Sequence, residues 1–237
     1  MALTKEDRLE NWARFYKKAA ADGIELMWPC DTLVRLFKGD YVPGLDREFA
    51  GKKVLEVGVG NGNNMIFLAT LGLQMFGTEV TAALCQTVGA RLGDLGIAVD
   101  LRVGLNRALP FEDDEFDFLV SWNVIHYEDD EPSMRQAIAE YHRVLKPGGR
   151  FFLSTTGPEH RILKDSSTLD GHRYRIGRED DFRRGQVFFY FDAPNYIHYY
   201  FSPPFTQVAV GRAQEDLFTE KLDYFIVTGV KGHIDEI

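Results

Sequence analysis

The chain has 237 residues, of which 45% are apolar and 27% are charged, and its formal net charge at pH 7 is −9. A net charge of this sign repels a phosphate backbone, so we do not expect a large nucleic-acid-binding surface. No apolar run approaches the roughly 20 residues needed to cross a bilayer, so we expect an ordinary soluble globular protein with no membrane partner.

The N-terminal segment mixes charged residues into an amphipathic helical pattern. It lacks the apolar region and cleavage site of a signal peptide, which predicts a cytoplasmic location. The two cysteines, Cys30 and Cys85, are far apart and form no CxxC pair. We interpret them as small apolar side chains and predict no metal site.

Short apolar runs alternate with helix-like patterns in the middle of the chain, which is typical of parallel βαβ units. Strands are predicted at 53–57, 73–78, 99–103, 116–121 and 150–155. Helices are predicted at 63–70, 82–95 and 132–145. The LKPGG segment that follows the last helix predicts a turn into the next strand, because proline ends a helix and glycine accepts a positive φ.

The strongest functional signal is VLEVGVGNG, in which a predicted strand carrying Glu56 leads into Gly58, Gly60 and Gly62. Glycine lets the main chain turn sharply and lie against a ligand with no Cβ in the way. The next strand leads to Glu79, whose carboxylate can accept hydrogen bonds from both hydroxyls of a ribose. The purely structural alternatives are a glycine turn and a helix-capping Glu79.

A nicotinamide dehydrogenase shows a similar order of glycines and acid. Two residues argue against it. The third glycine of that fingerprint would fall at Asn63, and Glu56 occupies a strand position that a dinucleotide-binding turn keeps apolar.

Four ordered blocks resemble the class I S-adenosylmethionine-dependent methyltransferases. They are the LEVGVGNG turn, Glu79, the segment 104–127 and the segment 140–155. The resemblance implies an α/β fold with a doubly wound, mostly parallel, seven-stranded sheet of the Rossmann-like type, and S-adenosylmethionine as the cofactor.

We predict a single methyltransferase domain over residues 1–237. Residues 1–50 would form a helical N-terminal arm, 51–157 the cofactor-binding core, and 158–237 an insertion or lid with the terminal strands. The arm carries Trp12, Tyr16, Trp28 and Pro29. The resemblance implies that this arm closes over the cofactor, because such arms often form the roof of the site in the family.

The resemblance also implies roles for individual residues. It assigns to the cofactor Glu56, Gly58, Gly60, Asn61, Gly62, Glu79, Leu105, Asn106, Ser121, Trp122 and Asn123. Glu79 would hold the ribose, and the last three would lie under the methionine portion and the methyl group. Leu105 departs from the family, which often places an acidic residue there. Adenine recognition would therefore rest on Asn106 or on backbone groups.

The C-terminal part is rich in aromatic residues, especially over 187–201. Its alternation predicts a β-ribbon, and the alternative is an acceptor pocket or lid. In the second case the candidate substrate contacts are Tyr196, His198 and Tyr199. Strands are predicted at 206–210 and 224–230, with the helix that usually precedes the first of them shortened or missing.

Methyl transfer chiefly needs the nucleophile held in line behind the methyl group in a dry pocket, and a base matters only when the acceptor must lose a proton. His126 is the candidate base or substrate contact, with a core-edge histidine as the alternative, and Tyr127 is a candidate for the same wall. The arginines between 173 and 184 are interpreted as a solvated surface or as a site for an anionic group.

The predicted function is S-adenosylmethionine-dependent methyl transfer to a small-molecule acceptor with an oxygen or nitrogen nucleophile. Three alternatives stay open: cofactor binding without catalysis, a methyltransferase acting on RNA or protein, and a dehydrogenase. A positive surface formed by the arginines of 173–184 would favour the second. The sequence does not indicate an oligomeric state.

Overall fold

The protein is described by a computed structural model over residues 10–12, 14–15, 18 and 28–232. The described positions between 10 and 18 are helical, as expected for the N-terminal arm, whereas Tyr16 lies outside the described residues. Helix α1, Asp31–Lys38, follows and buries Leu33 and Phe37.

A seven-stranded sheet forms the centre of the molecule, in the order β3-β2-β1-β4-β5-β10-β9. Its strands are β1 Lys53–Val57, β2 Gln74–Glu79, β3 Val99–Val103, β4 Phe116–Trp122, β5 Leu145–Thr156, β9 Phe205–Leu217 and β10 Glu220–Lys231. The first five are parallel, and β10 pairs antiparallel with both β5 and β9. Strand order reverses beside β1, which places a topological switch point at its carboxyl end.

Helices lie between the strands along the chain. They are α2 Asn63–Ala69, α3 Ala82–Asp94, a 3-10 turn Ile125–Tyr127, α4 Glu131–Val144 and α5 Pro194–Phe201. Thr81 caps α3 by accepting a hydrogen bond from Leu84 N at 3.2 Å, and Asp130 caps α4 from Ser133 N at 2.8 Å. These caps satisfy N–H groups that a helix leaves unpaired, so each helix begins at a residue fixed by local chemistry.

Both faces of the sheet are covered. Neighbouring residues Val54 and Leu55 point to opposite faces and are both fully buried. One face packs with α4 and α5 around Phe151, and the other packs with α1 and α2 around Phe152. The predicted doubly wound α/β class is therefore confirmed.

The structure corrects two predicted elements. Strand β5 begins at Leu145, before the predicted turn, because the chain pairs with β4 at once and shifts register where Gly148 takes a φ of 79°. Only Val187–Phe189 of the predicted aromatic ribbon is a strand, β8, which joins β6 Ser167–Asp170 and β7 Arg173–Arg175 in a small antiparallel sheet.

The remainder of the aromatic segment is helix α5. Pro194 begins it, and its buried residues Ile197, Tyr200 and Phe201 follow the spacing of one helix face. A short helix therefore precedes β9, where the sequence predicted a shortened or missing one. Within the described part of the chain, no helix combines the length and apolar character needed to cross a membrane.

Candidate cofactor and acceptor site

The glycine-rich loop after β1 is held in a left-handed backbone conformation. Gly58, Gly60 and Gly62 have φ values of 68°, 59° and 79°. The amides of Gly58 and Val59 donate to the carbonyl of Thr78 at 3.0 and 3.1 Å, which ties the loop to β2. A Cβ on Gly58 would lie 2.7 Å from Cγ2 of Val124, so only glycine fits there.

Glu79 stands where β2 ends and is 5% exposed. One carboxylate oxygen accepts from Gly60 N at 2.6 Å and the other from Val80 N at 3.1 Å. Burial raises the pKa of Glu79, and the two backbone hydrogen bonds oppose that rise. Since a carboxylate has about four acceptor positions, each oxygen can still accept from a hydroxyl of a ligand.

Glu56 is the most deeply buried carboxyl group of the site, at 1% exposed. Its Oε1 accepts from Asn64 Nδ2 at 2.8 Å, whereas its Oε2 has no partner. Burial raises the pKa of Glu56 to about 8, with the charge of Glu79 as a smaller contribution in the same direction. A buried oxygen without a partner costs free energy, and the ammonium group of an amino-acid ligand would satisfy it.

Asn64 was not predicted as a site residue. Its amide nitrogen donates to Glu56, and its amide oxygen accepts from Cys30 N at 3.0 Å. Asn64 therefore links the buried carboxyl group to the segment that leads into α1. The available signal was its place next to Asn63, directly after the glycine loop.

Two cavities meet at the carboxyl edge of the sheet. The first has a volume of about 310 Å³ and is lined by Glu79, Leu105 and Asn106 together with Tyr127, Arg183 and Gln186. The second has a volume of about 560 Å³ and is lined by Glu56, Gly60 and Asn61 together with Trp28, Cys30 and Tyr224. Both are also lined by Gly58, Trp122 and Asn123, so one elongated ligand can occupy both.

Asn123 lies at this junction in a left-handed conformation, with φ of 60°. Its backbone amide donates to Ser154 Oγ at 2.9 Å, and its side-chain oxygen accepts from the same hydroxyl at 2.7 Å. The end of β4 is therefore held rigidly against β5.

Two of the predicted cofactor residues do not line either cavity. Gly62 instead directly precedes α2 as its N-cap residue, and a Cβ on it would lie 3.2 Å from Cδ2 of Leu92 in α3. Ser121 is fully buried, and its hydroxyl is 2.8 Å from Tyr141 OH. These two residues support the loop and the interior rather than the cavity surface.

The side-chain amide of Asn106 is bonded into the interior. Its oxygen accepts from Tyr141 OH at 2.7 Å, and its nitrogen donates to Glu128 at 3.1 Å. Of the two predicted kinds of adenine contact, this geometry favours the backbone groups of Leu105 and Asn106.

His126 is 3% exposed and does not line either cavity. Its ring packs against those of Tyr127 and Phe188, with centroids 4.8 and 4.7 Å away. Burial, with a smaller contribution from the charge of Arg183, lowers the pKa of His126 well below its usual value. This geometry favours the core-edge alternative over a general base, whereas Tyr127 does line the first cavity.

The three aromatic-segment candidates lie on helix α5. Tyr196, His198 and Tyr199 are exposed there, and none of them lines either cavity. Tyr199 contacts α4 instead, because its hydroxyl accepts from Arg135 at 3.2 Å. The helical periodicity turns these side chains outwards while Ile197 and Tyr200 face the core.

Sequence reasoning did not single out Gln186 or Tyr224, and considered Arg183 only as one of a group. Arg183 pairs with Asp181 at 2.6 Å and donates to Tyr127 OH at 3.4 Å. Gln186 is 2% exposed, and its Nε2 has no partner. No local sequence motif marks these residues, because each lines a cavity together with residues from distant segments.

Tyr224 is oriented by His160. The Nδ1 of His160 accepts from Ile162 N at 3.1 Å, and its Nε2 is 2.9 Å from Tyr224 OH. Burial, helped by the charge of Arg183, lowers the pKa of His160 to about 4, so the ring is neutral at pH 7. With Nδ1 as acceptor, Nε2 carries the proton and donates to Tyr224. The hydroxyl proton of Tyr224 is then available to a ligand in the second cavity.

Four of the five arginines in the predicted arginine-rich surface form local ion pairs. Arg173 pairs with Asp170, Arg178 with Asp180 and Glu220, Arg183 with Asp181, and Arg184 with Glu179. Among the described residues, no group of three or more His, Cys, Asp or Glu side chains is arranged to hold a metal ion.

Comparison with known proteins agrees with this geometry. A family model described as a methyltransferase domain matches residues 54–149. The chain is 40% identical over 74 residues to a malonyl-[acyl-carrier protein] O-methyltransferase of Coxiella burnetii, covering 31% of this chain and 25% of the relative. It is 39% identical over 122 residues to a protein-L-isoaspartate O-methyltransferase of Methylorubrum populi, covering 48% of this chain and 56% of the relative.

The chain thus spans about half or less of the length of these curated relatives. Its fold is similar to that of a solved S-adenosylmethionine-dependent methyltransferase of Methanosarcina mazei, with a TM-score of 0.65 and 19% identity over 81% of this chain and 99% of the other. Residues 54–149 of the chain therefore match a methyltransferase domain, and the chain shares the fold of the solved S-adenosylmethionine-dependent methyltransferase.

Proposed function

We propose that the protein transfers the methyl group of S-adenosylmethionine to a small-molecule acceptor with an oxygen or nitrogen nucleophile. The observation that carries this proposal is the pair of cavities that meet at Trp122 and Asn123. Bound S-adenosylmethionine supplies an electrophilic methyl group on its sulfonium. The chain has to bind it, orient it and keep water away from it.

The residues fit such a cofactor at both of its ends. Glu79 offers free acceptor positions to the ribose hydroxyls in the first cavity, and the unpaired Oε2 of Glu56 offers one to the ammonium group in the second. The glycine loop between them lets the backbone approach the ligand closely. Trp122 and Asn123 would then lie beside the reacting methyl group.

The remaining lining residues would contact the acceptor. Tyr127 accepts from Arg183, so its own hydroxyl proton is available, and the same holds for Tyr224, which accepts from His160. Gln186 adds a buried amide nitrogen without a partner. These donors suit an acceptor that presents oxygen or nitrogen lone pairs, and they would hold it in line with the methyl group.

We propose that the acceptor is small rather than RNA or a protein. Four of the five arginines that would make a nucleic-acid surface are paired with carboxylates, and the chain carries a net charge of −9. The cavity volumes are in the range of small-molecule sites. A single domain over residues 1–237 and a cytoplasmic location stay predictions.

The test uses isotopically labelled S-adenosylmethionine with three sets of acceptors: small phenols, carboxylic acids and amines; total RNA; and a protein mixture. We expect label in small molecules only. Transfer to RNA or protein alone would contradict the small-molecule proposal. Calorimetric binding of the cofactor with no transfer to any set would support the alternative of binding without catalysis.

A variant of the acceptor wall sharpens the test. Tyr224→Phe removes one donor and should lower kcat/KM for the acceptor by about tenfold, the loss expected for one hydrogen bond. The affinity for S-adenosylhomocysteine should not change. Tyr41→Phe is the matched control, because Tyr41 is 66% exposed and lines neither cavity. Equal kinetics for both variants would remove Tyr224 from the acceptor site.

A further inference from the structure

A third cavity lies at the opposite edge of the sheet, where the parallel strands begin. It has a volume of about 420 Å³. Its charged lining residues are Lys52, Lys146, Arg150 and Lys231 on the basic side and Asp46 and Asp117 on the acidic side. The lining is therefore basic in a chain whose net charge is −9.

Arg150 is the buried charge of this cavity, at 6% exposed. Its guanidinium nitrogens lie 3.4 Å from Thr228 Oγ1, 3.4 Å from Gln207 Oε1 and 3.5 Å from the carbonyl of Pro43. These contacts are long, and all three oxygens are neutral.

No acidic group among the described residues balances this guanidinium. Arg150 forms no ion pair with any carboxylate of the described residues, although most other buried or half-buried arginines of the fold do. Burial lowers the pKa of Arg150, and no neighbouring carboxylate opposes that effect. A buried cation without a counter-charge destabilises the fold unless an anion neutralises it.

The lysines around the cavity keep donors for a ligand. Lys146 lies 2.8 Å from Asp117, Lys52 lies 2.5 Å from Asp46, and Lys231 lies 2.6 Å from Asp114. An ammonium group has three N–H donors, so one carboxylate partner leaves others available.

A strained bulge brings Gln207 to Arg150. Ala209 pairs with Thr228 and Thr206 with Val230, so two residues of β9 oppose Gly229 of β10. Gln207 takes a φ of 51°, which is unfavourable for a residue with a side chain. Bulges re-aim side chains, and backbone strain of this kind concentrates at ligand sites.

We propose that this cavity is a binding site for a phosphate group, held by Arg150 with Lys146 and Lys231. A tetrahedral oxyanion presents lone pairs in several directions and matches donors that come from β5 and β10 and from the turn at the start of β5. Free phosphate and a phosphate monoester share this chemistry. The site lies at the opposite ends of the strands from the cofactor cavities, so its occupation does not depend on the proposed methyl transfer.

The first experiment follows thermal unfolding of the whole chain with inorganic phosphate, using chloride at the same ionic strength as the reference. At about fifty times the dissociation constant, phosphate should raise the unfolding midpoint by about 5–9 °C. Arg150→Met should lose this shift. Arg35→Met, which removes an exposed arginine paired with Asp31 in α1, should keep it.

Two further variants do not depend on the folding of Arg150→Met. Lys146→Met, at a partly exposed position, should weaken phosphate binding severalfold. Lys231→Met removes the other proposed lysine donor and should weaken phosphate binding by a similar factor. Glycerol 3-phosphate is tested in parallel. Tighter binding than inorganic phosphate would show that the site prefers an ester, and weaker binding would show that it prefers free phosphate.

Equal shifts with phosphate and chloride would overturn the proposal. So would a phosphate shift that persists unchanged in Lys146→Met and Lys231→Met. Titration with S-adenosylhomocysteine in the presence and absence of phosphate separates the two sites: we expect the same affinity in both. A protein that binds phosphate but not S-adenosylhomocysteine would contradict the proposed function and leave the phosphate site intact.

Discussion

The two edges of the sheet bury ionisable groups of opposite kinds, acidic at one edge and basic at the other. The carboxyl edge buries Glu56 and Glu79, and the amino edge buries Arg150 among lysines. Both edges also contain a buried polar group that the protein itself does not balance, namely Oε2 of Glu56 and the guanidinium of Arg150. Between them the strands are lined on both faces by apolar side chains.

This contrast shows where the fold tolerates buried charge. An apolar core gains free energy from burial alone, whereas a buried ion needs a counter-charge or hydrogen bonds. Charge therefore concentrates at the two edges, where a ligand of the matching sign can supply what the protein lacks. The carboxyl edge suits a ligand with an ammonium group and hydroxyls, and the amino edge suits an oxyanion.

The largest expected effect is at Glu79. Glu79→Ala removes the proposed acceptor for both ribose hydroxyls and should reduce the affinity for S-adenosylhomocysteine by about 100- to 1000-fold. Calorimetric titration measures it. Glu79→Gln, which can still accept from Gly60 N, separates loss of binding from distortion of the loop, and exposed Glu48→Ala is the control. An affinity unchanged in Glu79→Ala would break the assignment of the carboxyl edge to the cofactor.

The second effect makes the two edges differ in their response to pH. The folded-state pKa of Glu56 is raised from 4.5 to about 8. The contribution of Glu56 to the free energy of unfolding is therefore complete below pH 4.5 and is lost as the pH rises through 8. The side-chain amide that replaces the carboxyl group in Glu56→Gln does not titrate. Relative to the wild type, its free energy of unfolding should therefore increase between pH 5 and pH 8.5 by on the order of 3 kcal/mol.

Urea unfolding at several pH values measures this difference. Parallel pH profiles for the wild type and Glu56→Gln would contradict the raised pKa. The arginine at the amino edge stays charged over the same pH range, so Arg150→Met should shift stability without adding pH dependence.

The third effect concerns the glycine loop. Gly58→Ala introduces both a strained φ and a contact of 2.7 Å with Val124, and should destabilise the fold by about 2–3 kcal/mol and weaken cofactor binding. Gly96→Ala is matched, because Gly96 has a φ of 73° but open space around it, and should cost about 1 kcal/mol. Thermal unfolding compares them. Equal losses in the two variants would show that close approach at Gly58 is unimportant.

The smallest effect is expected outside both edges. His198→Ala and Tyr199→Phe change exposed residues of α5, and each should alter kcat/KM by less than about twofold. Steady-state kinetics with an identified acceptor would measure it. A tenfold loss in either variant would restore the predicted substrate role of this helix and extend the acceptor site beyond the carboxyl edge.

Local patterns in the sequence specify the part of the protein that contains the glycine loop and Glu79. Strands β1 and β3 have the predicted bounds because each is followed directly by a glycine. The glycine loop and Glu79 are separated by only one helix and one strand, so their convergence follows from a single right-handed βαβ unit. The aromatic segment over 187–201 was harder to predict, because aromatic residues favour strands while their spacing here serves a helix.

The sequence alone therefore determined the fold class and many of the residues that line the two cavities at the carboxyl edge, because these depend on short-range periodicity and on one compact motif. Tertiary structure alone decided that His126 is buried away from the cavity, that Tyr224 is oriented by His160, and that Arg150 lies beside Gln207 without a counter-charge. The reason is physical: burial, ion pairing and the pKa of a group depend on neighbours brought together from distant segments, and no local spacing encodes those neighbours.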